Sequence, residues 1–146
     1  MALTACDTQP LKPDDESADE TQPVTEKQIT LTDEAERLLS LAEDSDTDAE
    51  QFRYRALAAH LYIEADNIEL AQQQLDILVQ KQQQQPAAEE TEVRIENATI
   101  SLLTAAIAIA NEDAELADKA LNETEPVTRE QQIRYYQLMA DLDYLR

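Results

Sequence analysis

Glycine is absent from all 146 residues, tryptophan is absent too, and cysteine, histidine and phenylalanine occur once each. Each absence closes a class of function. Without glycine there is no phosphate-cradling loop of the known kinds. With a single cysteine there is no intramolecular disulfide, and cysteine usage does not place the chain in an oxidising compartment. His60 stands alone between Ala59 and Leu61, with no second histidine or neighbouring thiol to complete a zinc site and no nucleophile to activate. Basic side chains are scarce as well: 11 Lys and Arg against 32 Asp and Glu leave a net charge of −21, which repels nucleic-acid phosphates and anionic lipid surfaces. The longest apolar run, TISLLTAAIAIA at 99–110, falls short of the roughly 20 residues that span a bilayer and reads as a buried helix. Neither an enzyme, a cofactor, a metal site nor a nucleic-acid partner is expected.

What remains is abundant Ala, Leu, Gln and Glu, which favour helices, with few of the aromatic residues that strands favour. The composition predicts an all-α protein whose helices meet at short polar corners, and its length suits one domain. Acidic residues crowd some of those corners without forming a site. Asp44, Asp46 and Asp48 are spaced like the opening of a calcium-binding EF-hand loop, but Ala49 and Arg55 stand where that loop needs glycine and a bidentate glutamate. A solvated, helix-capping corner is expected there.

The first thirty residues differ in character from the rest. Asp7 to Thr30 holds seven carboxylates against Lys12 and Lys27, with Pro10, Pro13 and Pro23 interspersed. Low hydropathy with like charge predicts a disordered tether over 6–30, some 25–30 Å in typical span. At its head, Leu3-Thr4-Ala5-Cys6 resembles the lipobox of bacterial lipoproteins, in which a peptidase cuts before a cysteine that then carries diacylglycerol. By that resemblance residues 1–5 are the remnant of a signal peptide, Cys6 is the lipid attachment site, and a longer leader is expected upstream. Asp7 resembles a signal for retention in the inner membrane.

From residue 31 to 146 the pattern is helical. A first helix is expected over about Asp33–Glu43, with Leu38, Leu39 and Leu41 apolar. Thr47-Asp48-Ala49-Glu50 reads as a capping box opening a second helix that runs to about Ala65, with Phe52, Ala56, Ala59 and Ile63 on one stripe and Leu57 and Leu61 beside it. Asp66-Asn67 turns the chain into Ile68–Gln82, where Ile68, Ala71, Leu75, Leu78 and Val79 face inward. A long helix over Ala88–Ala110 carries Ile95, Leu102, Ala106 and Ile109, Asn111-Glu112-Asp113 turns, and Ala114–Asn122 packs back with Leu116, Ala117 and Leu121. IELAQQQL at 68–75 and AELADKAL at 114–121 share Glu-Leu-Ala-x-x-x-Leu, 46 residues apart and each directly after a polar corner. That internal repeat points to stacked helical hairpins, an α-solenoid of tetratricopeptide character. Small residues at Ala59, Ala71 and Ala117 permit close helix crossings, and with Leu75, Ala106 and Leu121 they are the candidate repeat-packing residues. Thr128-Arg129-Glu130-Gln131 reads as a further capping box, opening a helix expected to pack through Ile133, Tyr136, Met139 and Ala140. Because Tyr135, Tyr136, Leu138, Met139, Leu142, Tyr144 and Leu145 make that helix apolar or amphipathic almost all round, the domain is expected to be truncated in its third hairpin. Tyr54, Tyr62 and Arg55 are open to either surface or packing roles.

An acylation cysteine, a polar tether, hairpins reading RALAAHLYIEADNIELAQQQLDIL and a closing EPVTREQQIRYYQLMADLDYL together resemble the N-terminal domain of the LpoA-type lipoprotein activators of class A penicillin-binding proteins. The last segment carries most of the likeness: a helix reading Glu-Gln-Gln-x-Arg-Tyr-aromatic-Gln after a Pro-Val corner. The resemblance implies a non-catalytic regulator of peptidoglycan synthesis, lipid-anchored on the periplasmic side of the envelope. It favours the outer membrane, with Asp7 pointing to the inner. It further implies a class A penicillin-binding protein as partner, engaged in that family mainly through a following domain, and membrane contact through the lipid alone. The alternative is a tetratricopeptide lipoprotein that scaffolds other envelope proteins.

Overall fold

The computed structural model describes residues 24–146, and every described element is an α-helix or a turn. Six helices follow one another: α1 (Glu26–Asp44), α2 (Asp48–Glu64), α3 (Ile68–Gln84), α4 (Glu90–Ala110), α5 (Ala114–Asn122) and α6 (Arg129–Leu145). Cys6, Asp7 and the first part of the expected tether lie outside the described residues.

Helix α1 begins at Glu26 rather than Asp33, so 26–30 belong to a helix and not to a tether. The cause is a capping box that the charge pattern concealed. Thr25 Oγ1 accepts from Gln28 N, and Gln28 Oε1 accepts from Thr25 N. Gln28 Nε2 then donates to Ala65 O at 3.1 Å, pinning the start of α1 to the end of α2. Elsewhere the boundaries move by two residues, to Gln84 for α3 and Glu90 for α4, while α5 keeps its expected ends. At Thr47 only half of the expected box forms: its hydroxyl accepts from Glu50 N, and no reciprocal bond from the Glu50 carboxylate is made.

Two corners solve a problem that the missing glycines create. A tight reversal between helices commonly needs a residue with positive φ, which glycine adopts at no steric cost. Here Asp66 (φ 62°) and Glu112 (φ 61°) take that conformation. Each closes a Schellman motif: Asn67 N donates to Tyr62 O and Asp66 N to Ile63 O, as Asp113 N does to Ala108 O and Glu112 N to Ile109 O. The next residue at once caps the following helix, Asn67 accepting from Leu70 N and Asp113 from Leu116 N. The recurring Glu-Leu-Ala-x-x-x-Leu therefore follows the same corner twice, and produces the hairpins α2–α3 and α4–α5.

Packing between elements repeats too. Helix α4 lies against both α2 and α3, and α6 against both α4 and α5, while α1 packs on α2. Two cores result. The first joins Ala35, Leu38, Phe52, Ala59, Tyr62, Ala71, Leu75 and Leu78 to Leu103 and Ile107. The second joins Leu102, Ala105 and Ala106 to Ala117, Ala120, Leu121, Leu138 and Leu142. Helix α4 supplies opposite faces to the two, which explains why it is apolar nearly all round. It is the one described helix long and apolar enough to cross a membrane, and it is occupied here against four other helices. The six candidate repeat-packing residues are all buried, Ala59, Ala71 and Leu75 in the first core and Ala106, Ala117 and Leu121 in the second.

Apolar residues expected to pack do not all do so. Leu57 and Leu116 are about half exposed, as are Ile133, Met139 and, more so, Tyr136, and Ala140 is also exposed. Helix α6 docks instead through Gln131, Leu138 and Leu142, with Arg134 and Tyr135 half buried. Its inward stripe mixes glutamine and arginine with leucine, so hydropathy alone selects the opposite face. Tyr62 is buried, whereas Tyr54 and Arg55 are partly covered, Arg55 donating to Gln74 Oε1 at 3.0 Å. The acidic corner at Asp44, Asp46 and Asp48 is exposed.

Candidate functional site

Helices α2 and α6 both pack on α4, but their backbones do not approach each other. The gap between them is a groove with α4 as its floor. Along the α2 wall, Arg53, Ala56, Leu57 and His60 lie at helical spacing, and Ile63 and Glu64 continue the row. The floor is Ile95, Thr99 and Leu102, then Ala106 and Ile109. The α6 wall carries Glu130, Gln131 and Arg134, then Gln137, Leu138 and Asp141. Two compartments of about 340 Å³ and 230 Å³ meet at His60 and Arg134, which line both.

The α6 wall is held by one side chain. Gln131 Oε1 accepts from Val127 N and Thr128 N, completing the capping box with Thr128 Oγ1. Its Nε2 donates to Ile95 O at 2.9 Å and to Thr99 Oγ1 at 3.0 Å across the helix interface. A buried amide that satisfies both its oxygen and its nitrogen in this way fixes both the start of α6 and its distance from α4. The expected capping box is thus present, and its glutamine has a second task. Gln28 in α1 is used in the same manner.

The polar groups that remain free in the groove are few. On one margin Arg53 pairs with Glu92 at 2.7 Å. His60 is 9% exposed and makes no hydrogen bond among the described residues. Burial, followed by the nearby Arg134 cation, holds its imidazole down to about 3, so it is neutral at physiological pH and carries one donor and one acceptor nitrogen. Burial also lowers Arg134, against a smaller opposing pull from Glu64, but a guanidinium so shifted stays charged. Among the described residues Arg134 has neither an ion-pair nor a hydrogen-bond partner, and it lines both compartments of the groove. The chain's one histidine was visible in the sequence, but its neighbourhood was not. Arg53, Arg134 and Gln131 were missed as groove residues. The signal that marks the wall is the row Arg53, Ala56, Leu57, His60, Ile63, Glu64 on one stripe of α2.

Away from the groove, Glu96 is buried with Oε1 unpartnered, and burial first, then the Glu92 charge, raise its carboxyl above the usual range. Among the described residues no group of three or more His, Cys, Asp or Glu side chains is placed to hold a metal ion. No family model, curated protein or solved structure matches the chain.

Proposed function

We propose that the chain is a non-catalytic protein-binding arm, built of tetratricopeptide-like hairpins, whose α2–α4–α6 groove receives a segment of a partner. The observation that carries this reading is the groove itself. Helices α4 and α6 each lie across both helices of the preceding hairpin, and the faces of α2, α4 and α6 left between those contacts form one continuous, partly apolar channel. In this reading Ala59, Ala71, Ala106 and Ala117 let the crossing helices approach, while Leu75 and Leu121 fill the layer between them.

Combined with the resemblance of its sequence, the arm belongs to a lipoprotein that regulates peptidoglycan synthesis. Cys6 carries the lipid, and 7–23 lead from it to the helices on the periplasmic side. The partner is a class A penicillin-binding protein, with further envelope proteins as the alternative. A photo-crosslinking residue placed at Leu57 in the native protein tests it, with the same residue at Leu116 as an off-groove control. Crosslinking to a class A penicillin-binding protein from Leu57 and not from Leu116 is the expected result. Crosslinking to other envelope proteins favours the scaffold alternative, and no crosslink from Leu57 rules out the groove as the place where that partner docks. Mass spectrometry of native Cys6 tests the anchor: an unacylated thiol behind an intact upstream segment rules it out.

A further inference from the structure

We infer that the groove is a carboxylate-terminus pocket: it takes the C-terminal residue of a partner peptide, with the carboxylate on Arg134 and an apolar last side chain on Leu57, Ile95 and Leu102. This deepens the docking reading above and rests on it.

The charge arrangement selects a single anion. Arg134 stands at the middle of the groove, where the two compartments meet, with no partner among the described residues. Arg53, the other cation of the larger compartment, is already paired with Glu92. Carboxylates line the groove on both sides of Arg134, Glu130 in the larger compartment and Glu64 and Asp141 in the smaller, with Glu64 near enough to act on Arg134 without pairing with it. A ligand with one negative charge at the centre is matched, and a run of acidic side chains is repelled at both ends. A half-buried guanidinium holds a carboxylate in bidentate fashion and retains most of that interaction in salt, because groups shielded from solvent are screened less than exposed ones.

His60 supplies the second, independent sign of a ligand. It is nine-tenths buried, it lines both compartments beside Arg134, and neither ring nitrogen has a partner among the described residues. Neither ring nitrogen is among the fully enclosed unpartnered atoms, so both are open to the groove, and a ligand oxygen can take the place of water on the imidazole N–H. Leu57, about half exposed on the wall, and Ile95 and Leu102 on the floor give the neighbouring apolar surface. The carboxylate and the apolar chain must therefore diverge from nearly the same point, which a C-terminal residue provides through its own α-carbon. An aspartate or glutamate inside a peptide brings a carboxylate with no apolar chain on the same carbon.

Because His60 is the only histidine, its ring signals in a ¹H–¹³C spectrum report this pocket without ambiguity. The probes are N-acetyl-leucine, its amide N-acetyl-leucinamide, and N-acetyl-aspartate methylamide, titrated into the full chain. N-acetyl-leucine is expected to shift the His60 signals saturably with millimolar affinity, as suits a ligand of this size. The amide and the aspartate probe are expected to bind about tenfold more weakly, the amide for want of a charge-assisted bond. Arg134→Gln is expected to abolish the preference for the acid over the amide, and Arg134→Lys to retain part of it. Equal binding of acid and amide to the natural protein, or no shift with any probe, overturns the proposal. Equal binding of the aspartate probe overturns its C-terminal assignment. A groove that binds N-acetyl-leucine but crosslinks to no partner would sink the docking partner and leave this pocket standing, and the reverse pair of results would do the opposite.

Discussion

Replacing Glu112 by glycine should make the protein more stable. Glu112 sits at φ 61°, in the left-handed region, where the β-carbon of an ordinary residue costs about 1–2 kcal/mol. Glycine removes that cost but gives up about 0.5–1 kcal/mol through the greater freedom of the unfolded chain. The carboxylate lies between the negative C-terminal end of α4 and the positive N-terminal end of α5, so its interactions with the two helix dipoles largely cancel. The net gain is about 0.5–1 kcal/mol. With a urea dependence of about 1.5 kcal/mol per molar, the unfolding midpoint should rise by about 0.3–0.7 M. Asp66→Gly should gain less, because a short polar side chain tolerates the left-handed region better than glutamate does. Glu112→Ala is the informative control, since alanine keeps the β-carbon and the strain. Equilibrium urea unfolding of the three variants decides the matter. A midpoint for Glu112→Gly at or below that of the natural protein, or an equal gain from Glu112→Ala, would refute the claim that the corner is closed by a strained non-glycine residue.

Further outcomes follow from single side chains. His60 is held down to about 3 in the folded state against 6.5 unfolded, so between those values the unfolded chain binds the extra proton and stability falls as pH drops below 6.5. At pH 5 the loss is about 1.36 × 1.5, or roughly 2 kcal/mol. The stability difference between the natural protein and His60→Gln should therefore shift by that amount between pH 7.5 and 5, and a difference independent of pH would contradict it. Gln131→Ala should cost about 1–3 kcal/mol, since it removes a cap and two bonds from α6 to α4 together. Hydrogen exchange should show α6 amides opening first, and uniform exchange across the six helices would count against its proposed task. Leu78→Ala, at a side chain with no exposed surface, should lower stability by about 2–5 kcal/mol. Leu116→Ala, at a half-exposed one, should cost far less, and equal costs in thermal unfolding would refute the burial assignment.

Local signals in the sequence carried the fold class and both hairpins, because each corner is specified by adjacent residues. An Asx cap, a polar residue able to take positive φ and a Glu-Leu-Ala run are all spelled within a few positions. The start of α1 was obscured, although Thr25-x-x-Gln28 is the same motif as Thr128-x-x-Gln131. The acidic, proline-bearing segment before it suggested that the chain remained unordered through Thr30, and two hydrogen bonds at Thr25 override that tendency. The inward face of α6 was misread for a different reason. Packing there is decided by Gln131, whose partners Ile95 O and Thr99 Oγ1 are more than thirty positions away, and no periodicity of hydropathy contains that information. Arg134 follows from the same error, since a helix assumed to bury Ile133 and Tyr136 turns Arg134 to solvent.

The groove itself follows from unequal helix lengths. Helix α4 has 21 residues and α5 has 9, or about 31 Å against 13 Å at 1.5 Å per residue. The second helix of this hairpin therefore cannot cover the whole of the first, and its N-terminal half must find other neighbours. One side is met by α2 and α3, and the other by the start of α6, which Gln131 fastens at Ile95 and Thr99. From there α6 runs on to place Leu138 and Leu142 over Ala106, Ala117 and Leu121. Fastened at both ends to α4 and α5, α6 turns Gln131, Leu138 and Leu142 inward and leaves Ile133, Tyr136 and Met139 exposed, and the channel lies between it and α2. The residues that carry the cores and those that line the channel are thereby largely different. The cores on either side of α4 can lose a methylene and weaken the fold, whereas Leu57, about half exposed, and Arg134, half buried, are not among the buried core residues and can be changed at less cost to the hairpins.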